Sequence, residues 1–352
     1  MVQRAVRWPA EWEPQAGVLV AWPHAQTDWA ARLAAVESSY TALVCAITRH
    51  ERCVICVADA GLQARAQNLL VAAGAQLQRI QFVQVPYDDT WLRDSGPIVL
   101  RDQLGDELAY EYADFHFTGW GGKFSAEQDD ALIQRLLEQD VFVSGRHVSH
   151  DFALEGGAIE GDGAGTLLTT WRCLHQRHPQ LDRDALDGIL RKDLGAQRIL
   201  WLQHGYLEGD DTDAHIDTLA RFSPDGGIVF QACDDPSDAH YAELGAMRDE
   251  LAALRDAQGR PYRLHALPWA RPIRDGQRRL AASYANYLVI NGAVLVPGYD
   301  DPADAQAACI IGAAHPGRSV VQVPCRALIW QNGSLHCVTM QIPAGALRGP
   351  AG

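Results

Sequence analysis

The chain contains a cysteine, a histidine and several carboxylates in segments that together suit chemistry on a guanidinium group. A cysteine such as Cys337 can attack an electrophilic carbon, and a histidine such as His215 can transfer protons near neutral pH. Two carboxylates can bind a planar guanidinium through paired charge-assisted hydrogen bonds. The candidate carboxylates are Asp94, Asp217 and Glu155. This set predicts cysteine-dependent displacement of ammonia from a guanidinium.

The nucleophile Cys337 lies directly beside His336, and these two residues need not work together. Asn332–Gly333 is a strong turn signal, and the segment after it is predicted to be a short strand. Side chains alternate between the two faces of a strand, so His336 should point away from Cys337. The general base is therefore expected elsewhere in the chain.

The segment "DAHIDTLARF" offers that base. On a predicted strand, His215 and Asp217 would share one face, with Cα atoms roughly 7 Å apart. A His–x–Asp pair is also consistent with part of a metal site or with a structural hydrogen bond. Asp94 follows Trp91 in "TWLRDSGP", which suits either a carboxylate in an aromatic-walled pocket or an ordinary turn. Glu155 precedes two glycines, which allow backbone to approach a ligand closely or simply form a bend.

Helical and strand patterns alternate along the whole chain, and no composition shift divides it, so one domain over 1–352 is predicted. The predicted helices are 59–74, 125–139, 180–195, 237–259 and 301–314. Strand pairs between them recur at roughly 50 to 70 residues, which favours radial repetition about a centre. The candidate residues fall at the starts of these pairs and would then converge at one end of the axis. A doubly wound sheet with extra hairpins is the alternative.

Composition narrows the function classes. A formal net charge of −14 argues against nucleic acid as the main partner, since phosphate binding needs a basic surface. No segment has the pattern of a signal peptide or a membrane span, so a cytoplasmic location with mostly reduced cysteines is expected. Cys53 and Cys56 form a CxxC within a β-branched apolar run. They are predicted to be core cysteines on opposite faces of a buried strand, and a metal motif is the alternative.

Six ordered motifs carry a resemblance to a known family. They are "TWLRDSGP", "FTGWGGKF", "LEGGAIEGDGAGTLL", "DDTDAHIDTLARF", "RRLAASYANYLVINGAVLVP" and "GSLHCVTMQ". In this order the chain resembles the agmatine deiminase family, also called the bacterial-type peptidyl-arginine deiminase family, of the guanidine-modifying (pentein) superfamily. The resemblance spans about residues 8–343 and implies a five-bladed α/β propeller.

The resemblance also implies catalytic roles. Cys337 would be the nucleophile, and His215 would act first as acid and then as base. Asp94 and Asp217 would hold the guanidinium nitrogens, with Glu155 near the histidine and the substrate. A covalent S-alkylthiouronium would form after ammonia leaves, and water would release a ureido product. No metal or organic cofactor is implied, and a homodimer is expected.

The identity of the substrate depends on the far end of the pocket. Trp91 and Trp120 match aromatic positions that line it. Agmatine, which would give N-carbamoylputrescine, is the leading substrate, and free or peptidyl arginine is the alternative. An amine at the tail would need acidic partners, and the candidates are Asp88, Asp89, Asp210, Asp211 and Asp213. The segment "WRCLHQRHP" (171–179) departs from the usual family form.

Two hypotheses come from other classes. A guanidinium-binding protein without turnover could keep the same fold, although binding alone does not need the thiol. A metallohydrolase could use His204, Asp210, His215 and Asp217, but these residues do not complete a tight ligand motif.

Overall fold

The computed structural model describes residues 6–102 and 109–349 of the chain. The strands are β1 (Val6–Arg7), β2 (Gln15–Ala21), β3 (Arg52–Val57), β4 (Ile80–Gln84), β5 (Ile98–Asp102), β6 (Ala109–His116), β7 (Arg146–Ala153), β8 (Ile159–Gly161), β9 (Thr166–Thr170), β10 (Arg198–Leu202), β11 (Ala220–Ser223), β12 (Gly227–Gln231), β13 (Arg263–Leu267), β14 (Arg274–Asp275), β15 (Arg278–Arg279), β16 (Leu288–Ile290), β17 (Ala293–Gly298), β18 (Ser319–Pro324) and β19 (Met340–Pro343). The α-helices are α1 (Leu33–Thr48), α2 (Ala60–Ala72), α3 (Leu92–Ser95), α4 (Gly119–Gly122), α5 (Glu127–Asp130), α6 (Leu132–Glu138), α7 (Trp171–Arg177), α8 (Arg183–Leu194), α9 (Tyr241–Ala253) and α10 (Asp304–Ala314). Short 3₁₀ turns cover Asp28–Arg32, Leu77–Arg79, Gly156–Ala158, Ile216–Thr218 and Leu328–Gln331.

Most sheets are variations on one unit. Two strands pair antiparallel, one or more helices follow, and a third strand pairs parallel to the second, as in β8–β9–β10, β11–β12–β13 and β16–β17–β18. The order β1-β5-β6-β7 adds a strand to this unit. In the order β19-β2-β3-β4, the C-terminal strand supplies the antiparallel partner of β2. These sheets are open and mixed, so the fold belongs to the α/β class, and their closure into a five-bladed ring stays a prediction.

Helix α8 shows how local sequence fixes an element. Asp182 precedes the helix, and its side chain accepts a hydrogen bond from the backbone N–H of Ala185. Gly195 ends the helix with φ 69°, a left-handed conformation that favours glycine. The buried residues Leu186, Leu190 and Leu194 recur every four positions and pack as one stripe. The helix predicted within 180–195 is therefore confirmed.

The two cysteines of the CxxC lie on β3, a strand covered on both faces. Cys53 packs in a hydrophobic cluster with Val18 and Ile55, whereas Cys56 packs in a second cluster with Leu19. Both thiols are fully buried, and burial raises each pKa well above the ordinary thiol value. The prediction of core cysteines on opposite faces is confirmed.

Helix α1 and the 3₁₀ turn before it form one stretch, Asp28–Thr48, that is long and apolar enough to cross a membrane by length and composition. Its face formed by Val36, Tyr40, Leu43 and Ile47 is buried in the largest hydrophobic cluster. An apolar face packed in this way is what a core helix of a globular fold requires.

Two predicted strands around the candidate site are wrong. His336 and Cys337 lie in a turn, and β19 begins only at Met340. Asp217 lies in the 3₁₀ turn Ile216–Thr218, ahead of β11. In both places the backbone is satisfied by turn hydrogen bonds, for example from Thr339 N–H to the carbonyl of His336 at 3.0 Å. The argument from strand alternation therefore does not apply at either position.

Candidate active site

The predicted catalytic residues occupy short turns immediately before the first strand of a sheet's antiparallel pair. Asp94 lies on α3 before β5, and Glu155 precedes the 3₁₀ turn that leads into β8. His215 and Asp217 precede β11, and Cys337 precedes β19. Residues in such turns are free of the ladder of interstrand hydrogen bonds, so their side chains can be aimed at a common point.

The structure brings these five side chains together around the closed end of one cavity. All five are buried, with at most 6 % of each residue exposed. The cavity has a volume of about 420 Å³; Asp94 and Cys337 line it, whereas Glu155, His215 and Asp217 lie beside these two and are not part of the lining. Trp91 and Trp120 line it as predicted. The cavity is of the size that encloses a small organic molecule.

Asp94 is held by two hydrogen bonds. The indole Nε1 of Trp120 donates to Oδ2 at 2.9 Å, and the backbone N–H of Gly157 donates to Oδ1 at 3.0 Å. A Cβ on Gly157 would lie 2.6 Å from His215 Nδ1 and 2.7 Å from Asp94 Oδ1, closer than real contacts allow. The second glycine of the "EGG" segment is therefore needed for close approach. Burial raises the pKa of Asp94 to about 6, against the lowering effect of His215.

Asp217 presents one occupied and one free carboxylate oxygen. Its Oδ2 lies 2.8 Å from His336 Nδ1 and accepts a hydrogen bond from Asn286 Nδ2 at 3.2 Å. Its Oδ1 is buried and has no hydrogen-bond partner among the described residues. A buried carboxylate oxygen without a partner is costly unless a ligand supplies the donor. Asp217 is thus positioned to accept a hydrogen bond from a bound cation.

His336 is fixed at both ring nitrogens and does not contact the thiol as a base. Its Nε2 lies 2.8 Å from Glu11 Oε2, on the opposite side from Asp217. Glu11 in turn accepts a hydrogen bond from Arg221 at 2.7 Å. The expectation that the base lies elsewhere than His336 holds, although the reason is this network rather than a strand face.

The Cys337 thiol is surrounded by polar groups. Its Sγ lies 3.1 Å from Asn286 Nδ2 and 3.7 Å from Asp217 Oδ2. The Asn286 carbonyl oxygen also accepts hydrogen bonds from the backbone N–H groups of His336 and Cys337, at 2.9 and 3.3 Å. Burial, together with the charges of Asp217 and Asp94, raises the pKa of Cys337 well above the ordinary thiol value. Without a cation in the cavity, the sulfur is therefore a neutral thiol.

His215 lies between two carboxylates. Its Nδ1 is 3.6 Å from Asp94 Oδ1, and its Nε2 is 3.7 Å from Glu155 Oε2. Burial disfavours the charged ring, but Asp94 and, more weakly, the neighbouring Cys173 and Glu155 together raise the pKa of His215 well above its ordinary value. An imidazolium at neutral pH can donate a proton to a leaving group.

Glu155 is kept ionised by cations. Burial alone would raise its pKa, but His215 and Arg177 outweigh that effect and lower it to about 2. Arg177 Nε donates to Glu155 Oε1 at 2.6 Å, and its Nη1 donates to Asp213 at 2.7 Å. Asp213 also pairs with Lys123 at 2.6 Å and does not line the cavity. The expected contact of Asp213 with substrate is therefore corrected, because its carboxylate is occupied by these two cations.

The outer part of the cavity is strongly acidic. Asp88 and Asp211 line it as predicted, whereas Asp210 does not and instead caps its own loop at Thr212 N and Ala214 N. The aspartates of the lining are Asp28, Asp88, Asp89, Asp94, Asp129 and Asp211. Arg278 is the single basic residue among the described residues that line the cavity. This balance favours a cationic ligand.

The metallohydrolase set does not assemble. His204 lies 3.3 Å from Glu243, and Asp210 is engaged in its own loop. Within the described ranges, the one group of side chains arranged to hold a metal ion consists of Glu155, Cys173 and His215. This group shares only His215 with the predicted ligands, so the ligands of the metallohydrolase hypothesis are wrong.

Two residues of the site were missed. Asn286 lies two residues before β16, the same relation to a strand pair that identified the other candidates, and applying that rule to "SYANYLVI" would have found it. Arg177 lies in the segment 171–179 that departs from the family form. No local pattern marks Arg177, because its importance comes from burial of its side chain beside Glu155.

Comparison with known proteins identifies the family of the chain. The sequence profile of the Porphyromonas-type peptidyl-arginine deiminase family matches residues 7–343. An agmatine deiminase of Stutzerimonas stutzeri is 34% identical over 97% of this chain and 96% of its own length. A Porphyromonas gingivalis protein provisionally named an arginine deiminase has a TM-score of 0.89 at 46% identity, covering 97% of this chain and all of that one. A cysteine-to-serine variant of C. jejuni agmatine deiminase, with substrate bound, has a TM-score of 0.88 at 31% identity and 99% coverage of both chains.

The fold and these relatives define a hydrolase that acts on carbon–nitrogen bonds, a deiminase. The chain belongs to the Porphyromonas-type peptidyl-arginine deiminase family, and its relatives in that comparison include agmatine deiminases.

Proposed function

We propose that the chain is an agmatine deiminase that converts agmatine and water into N-carbamoylputrescine and ammonia through a covalent intermediate on Cys337. The observation that carries this proposal is the closed end of the acidic cavity. There a buried thiol lies 3.7 Å from Oδ2 of Asp217, whose other oxygen, Oδ1, has no partner among the described residues, and Asp94 lines the same cavity.

The guanidinium binds at this closed end. The N–H groups of a guanidinium form a planar fork, and carboxylates on two sides can each accept one or two of them. Asp217 Oδ1 has no other partner in the described part of the chain, and two hydrogen bonds orient the carboxylate of Asp94. The indoles of Trp91 and Trp120 wall the same end and can contact the flat face of the ligand.

Binding of the cation also activates the nucleophile. The carboxylates that raise the pKa of Cys337 are the ones that the guanidinium neutralises, and the ligand adds a positive charge beside the sulfur. The thiol therefore loses its proton to solvent when substrate is bound. Asn286 Nδ2, at 3.1 Å, can then donate a hydrogen bond to the thiolate.

Two half-reactions follow. The thiolate attacks the central guanidinium carbon, and the imidazolium of His215 protonates a terminal nitrogen, which leaves as ammonia when its C–N bond breaks. The product is an S-alkylthiouronium on Cys337 and a neutral His215. Water then gives one proton to His215 and attacks the same carbon, and the C–S bond breaks to release the thiolate. The remaining hydroxyl proton passes to solvent, and the product, whose ureido group is neutral, departs. Glu155 keeps the imidazole oriented through this exchange of protons.

Agmatine suits the cavity better than arginine does. The primary amine of agmatine is a second cation, and the outer cavity carries Asp88, Asp89 and Asp211. The carboxylate of free arginine would face these acids. Arg278 could oppose it, but its guanidinium already donates to Asn332 Oδ1 at 2.7 Å and to the carbonyl of Trp330.

The remaining features of the proposal rest on the family. We infer a single catalytic domain over 1–352, a five-bladed propeller arrangement of the sheets and a homodimer. The enzyme would work in the cytoplasm without metal or organic cofactor, in the formation of putrescine and polyamines.

The proposal is tested by measuring ammonia and ureido product from the purified chain with agmatine, free arginine and a blocked arginine peptide, each with and without EDTA. Agmatine is expected to be turned over with the highest kcat/KM, and EDTA should not reduce the rate. Preferential turnover of arginine or the peptide would overturn the assignment of substrate. Absence of ureido product from all three would overturn the proposed reaction.

A further inference from the structure

Three possible metal ligands converge at His215. One carboxylate oxygen of Glu155, the Sγ of Cys173 and a ring nitrogen of His215 all lie within 4.8 Å of one another, and all three residues are buried. Cys173 is the third residue of α7, which Thr170 caps through a hydrogen bond from the backbone N–H of Cys173. None of the three residues lines the cavity.

Two of these ligands carry atoms whose hydrogen-bonding capacity is unused. Glu155 Oε2 and His215 Nε2 are buried and have no hydrogen-bond partner within the part of the chain that the structure describes. They face each other at 3.7 Å, beyond hydrogen-bond distance. When His215 is protonated the two atoms form an ion pair without a hydrogen bond. Buried polar atoms are normally hydrogen-bonded, so this separated pair beside a third ligand indicates room for a bridging ion. Arg177 occupies only the other oxygen, Oε1.

The chemical types of the three ligand atoms indicate which metal ion the site would bind. Thiolate, imidazole and carboxylate are ligands of Zn²⁺, whereas Mg²⁺ and Ca²⁺ prefer oxygen alone. Zinc lies about 2.0 to 2.2 Å from nitrogen and oxygen ligands, so a nitrogen and an oxygen on one tetrahedral ion lie about 3.3 to 3.5 Å apart. The observed distance between Glu155 and His215 is 3.7 Å, so binding would draw these two ligands slightly closer together. Water would complete the tetrahedron.

We propose that Glu155, Cys173 and His215 form an inhibitory Zn²⁺ site. Zinc displaces the thiol proton of Cys173 and the proton on His215 Nε2, and these protons go to solvent. With Nε2 bound to metal the ring is no longer an imidazolium, so its remaining Nδ1–H is a far weaker acid toward the leaving nitrogen, and the ring has no free lone pair to take a proton from water. Because none of its three protein ligands lines the cavity, saturation with substrate does not displace the ion.

Metal binding is independent of the proposed function, whereas inhibition rests on it, and two measurements separate them. The first is a Co²⁺ titration of the intact chain carrying Cys337→Ala, which removes the nucleophilic thiol. One equivalent of Co²⁺ should produce a thiolate charge-transfer band and the intense visible absorption of a tetrahedral site. Adding Cys173→Ser should abolish both, whereas adding Cys309→Ser, at an exposed cysteine, should leave them unchanged. No band with Cys337→Ala alone, or a band that survives Cys173→Ser, would overturn the site.

The second measurement is zinc inhibition of agmatine turnover after preincubation. Cys173→Ser, measured against its own uninhibited rate, should lose at least tenfold in sensitivity to zinc, and EDTA should restore the inhibited unaltered enzyme. The inhibition should lower kcat without being relieved by high agmatine concentration. Unchanged sensitivity in Cys173→Ser, or relief by substrate as expected for zinc on Cys337, would overturn the inhibitory role. If the chain turns over no guanidine, the cobalt titration still decides whether the site exists.

Discussion

At the closed end of the cavity, which forms its base, Asp94 and Asp217 are buried and accept hydrogen bonds from groups fixed in the fold. At the mouth, Asp88 and Asp211 are partly exposed and bond to loop groups, namely the backbone N–H of Gln128 and the side-chain amide of Asn332. The two ends carry the same type of side chain in different surroundings.

The different surroundings of the aspartates at the two ends suggest different roles, one in the reaction and the other in the choice of substrate. A charge interaction in a dry, rigid site is strong, and removing one partner costs much of it. A similar interaction near solvent is screened and worth little by itself. The base should therefore determine whether the guanidinium reacts, and the mouth should determine which guanidine is preferred. The following predictions test this division, starting with the largest effect.

Cys337→Ala should abolish turnover, with a loss of roughly 10⁴-fold or more, because no other group replaces the nucleophile. Guanidinium binding should survive, since Asp94 and Asp217 remain. Steady-state ureido production and calorimetric binding of agmatine provide the two readouts. Cys309→Ala, at an exposed cysteine, is the matched control and should behave as the unaltered chain. Ureido product from Cys337→Ala at more than a trace would contradict the covalent route.

Asp217→Asn should lower kcat/KM by about 10²- to 10³-fold, as expected when one partner of a buried charge pair is lost. The amide also places an NH₂ group where the free oxygen Oδ1 would accept a hydrogen bond. Asp249→Asn, at a carboxylate that is 72 % exposed, is the control and should change kcat/KM little. Activity within a few-fold of the unaltered chain would remove Asp217 from the guanidinium site.

Gly157→Ala should reduce kcat by at least about tenfold, because a 1 Å displacement of a catalytic group can cost more than that. The new methyl would displace His215 and Asp94, which leave no room for it. Gly188→Ala on α8 meets no atom within 4 Å and serves as the control. A fully active Gly157→Ala variant would show that the close packing at the base is not required.

The pH dependence of kcat/KM should report the protonation of Asp94 at the base of the cavity. Burial raises the pKa of Asp94 to about 6, so below that pH the carboxyl is neutral and no longer attracts the guanidinium. The raised pKa of His215 keeps its acid form above neutral pH. The Cys337 thiol of the free enzyme must also lose its proton, so kcat/KM should rise with pH through neutrality, and it should fall more steeply below about pH 6 as Asp94 becomes protonated. A flat profile between pH 5 and 7, with circular dichroism unchanged, would contradict this assignment.

The residues at the base of the cavity could largely be predicted from the sequence, because they lie in the ordered motifs. The rule that candidates precede strand pairs also holds, and it extends to Asn286. The local conformations were wrong because "SLHCVT" and "HIDT" look like strands by their apolar residues. The backbone groups of these segments instead form hydrogen bonds within turns, and the N–H of His336 donates to the side chain of Asn286, which is far away in sequence.

The mouth was harder to predict because its residues gain their roles only from tertiary contacts. Asp213 and Asp211 are near neighbours in sequence, yet one pairs with Arg177 and Lys123 while the other lines the cavity. Charge pairing of this kind depends on which cation the fold places nearby. A sequence pattern contains no information on that distance.

The smallest expected effect is at the mouth, and it tests selection alone. Asp88→Asn and Asp211→Asn should each raise KM for agmatine by up to about fivefold and leave kcat unchanged, because a partly exposed ion pair contributes about 1 kcal/mol or less. Butylguanidine has the same guanidinium and chain length but no amine, so its KM should not change in either variant. Steady-state kinetics on the two substrates separate the outcomes. Equal increases in KM for both substrates would mean that these aspartates act on the guanidinium end, and the distinction between base and mouth would then fail.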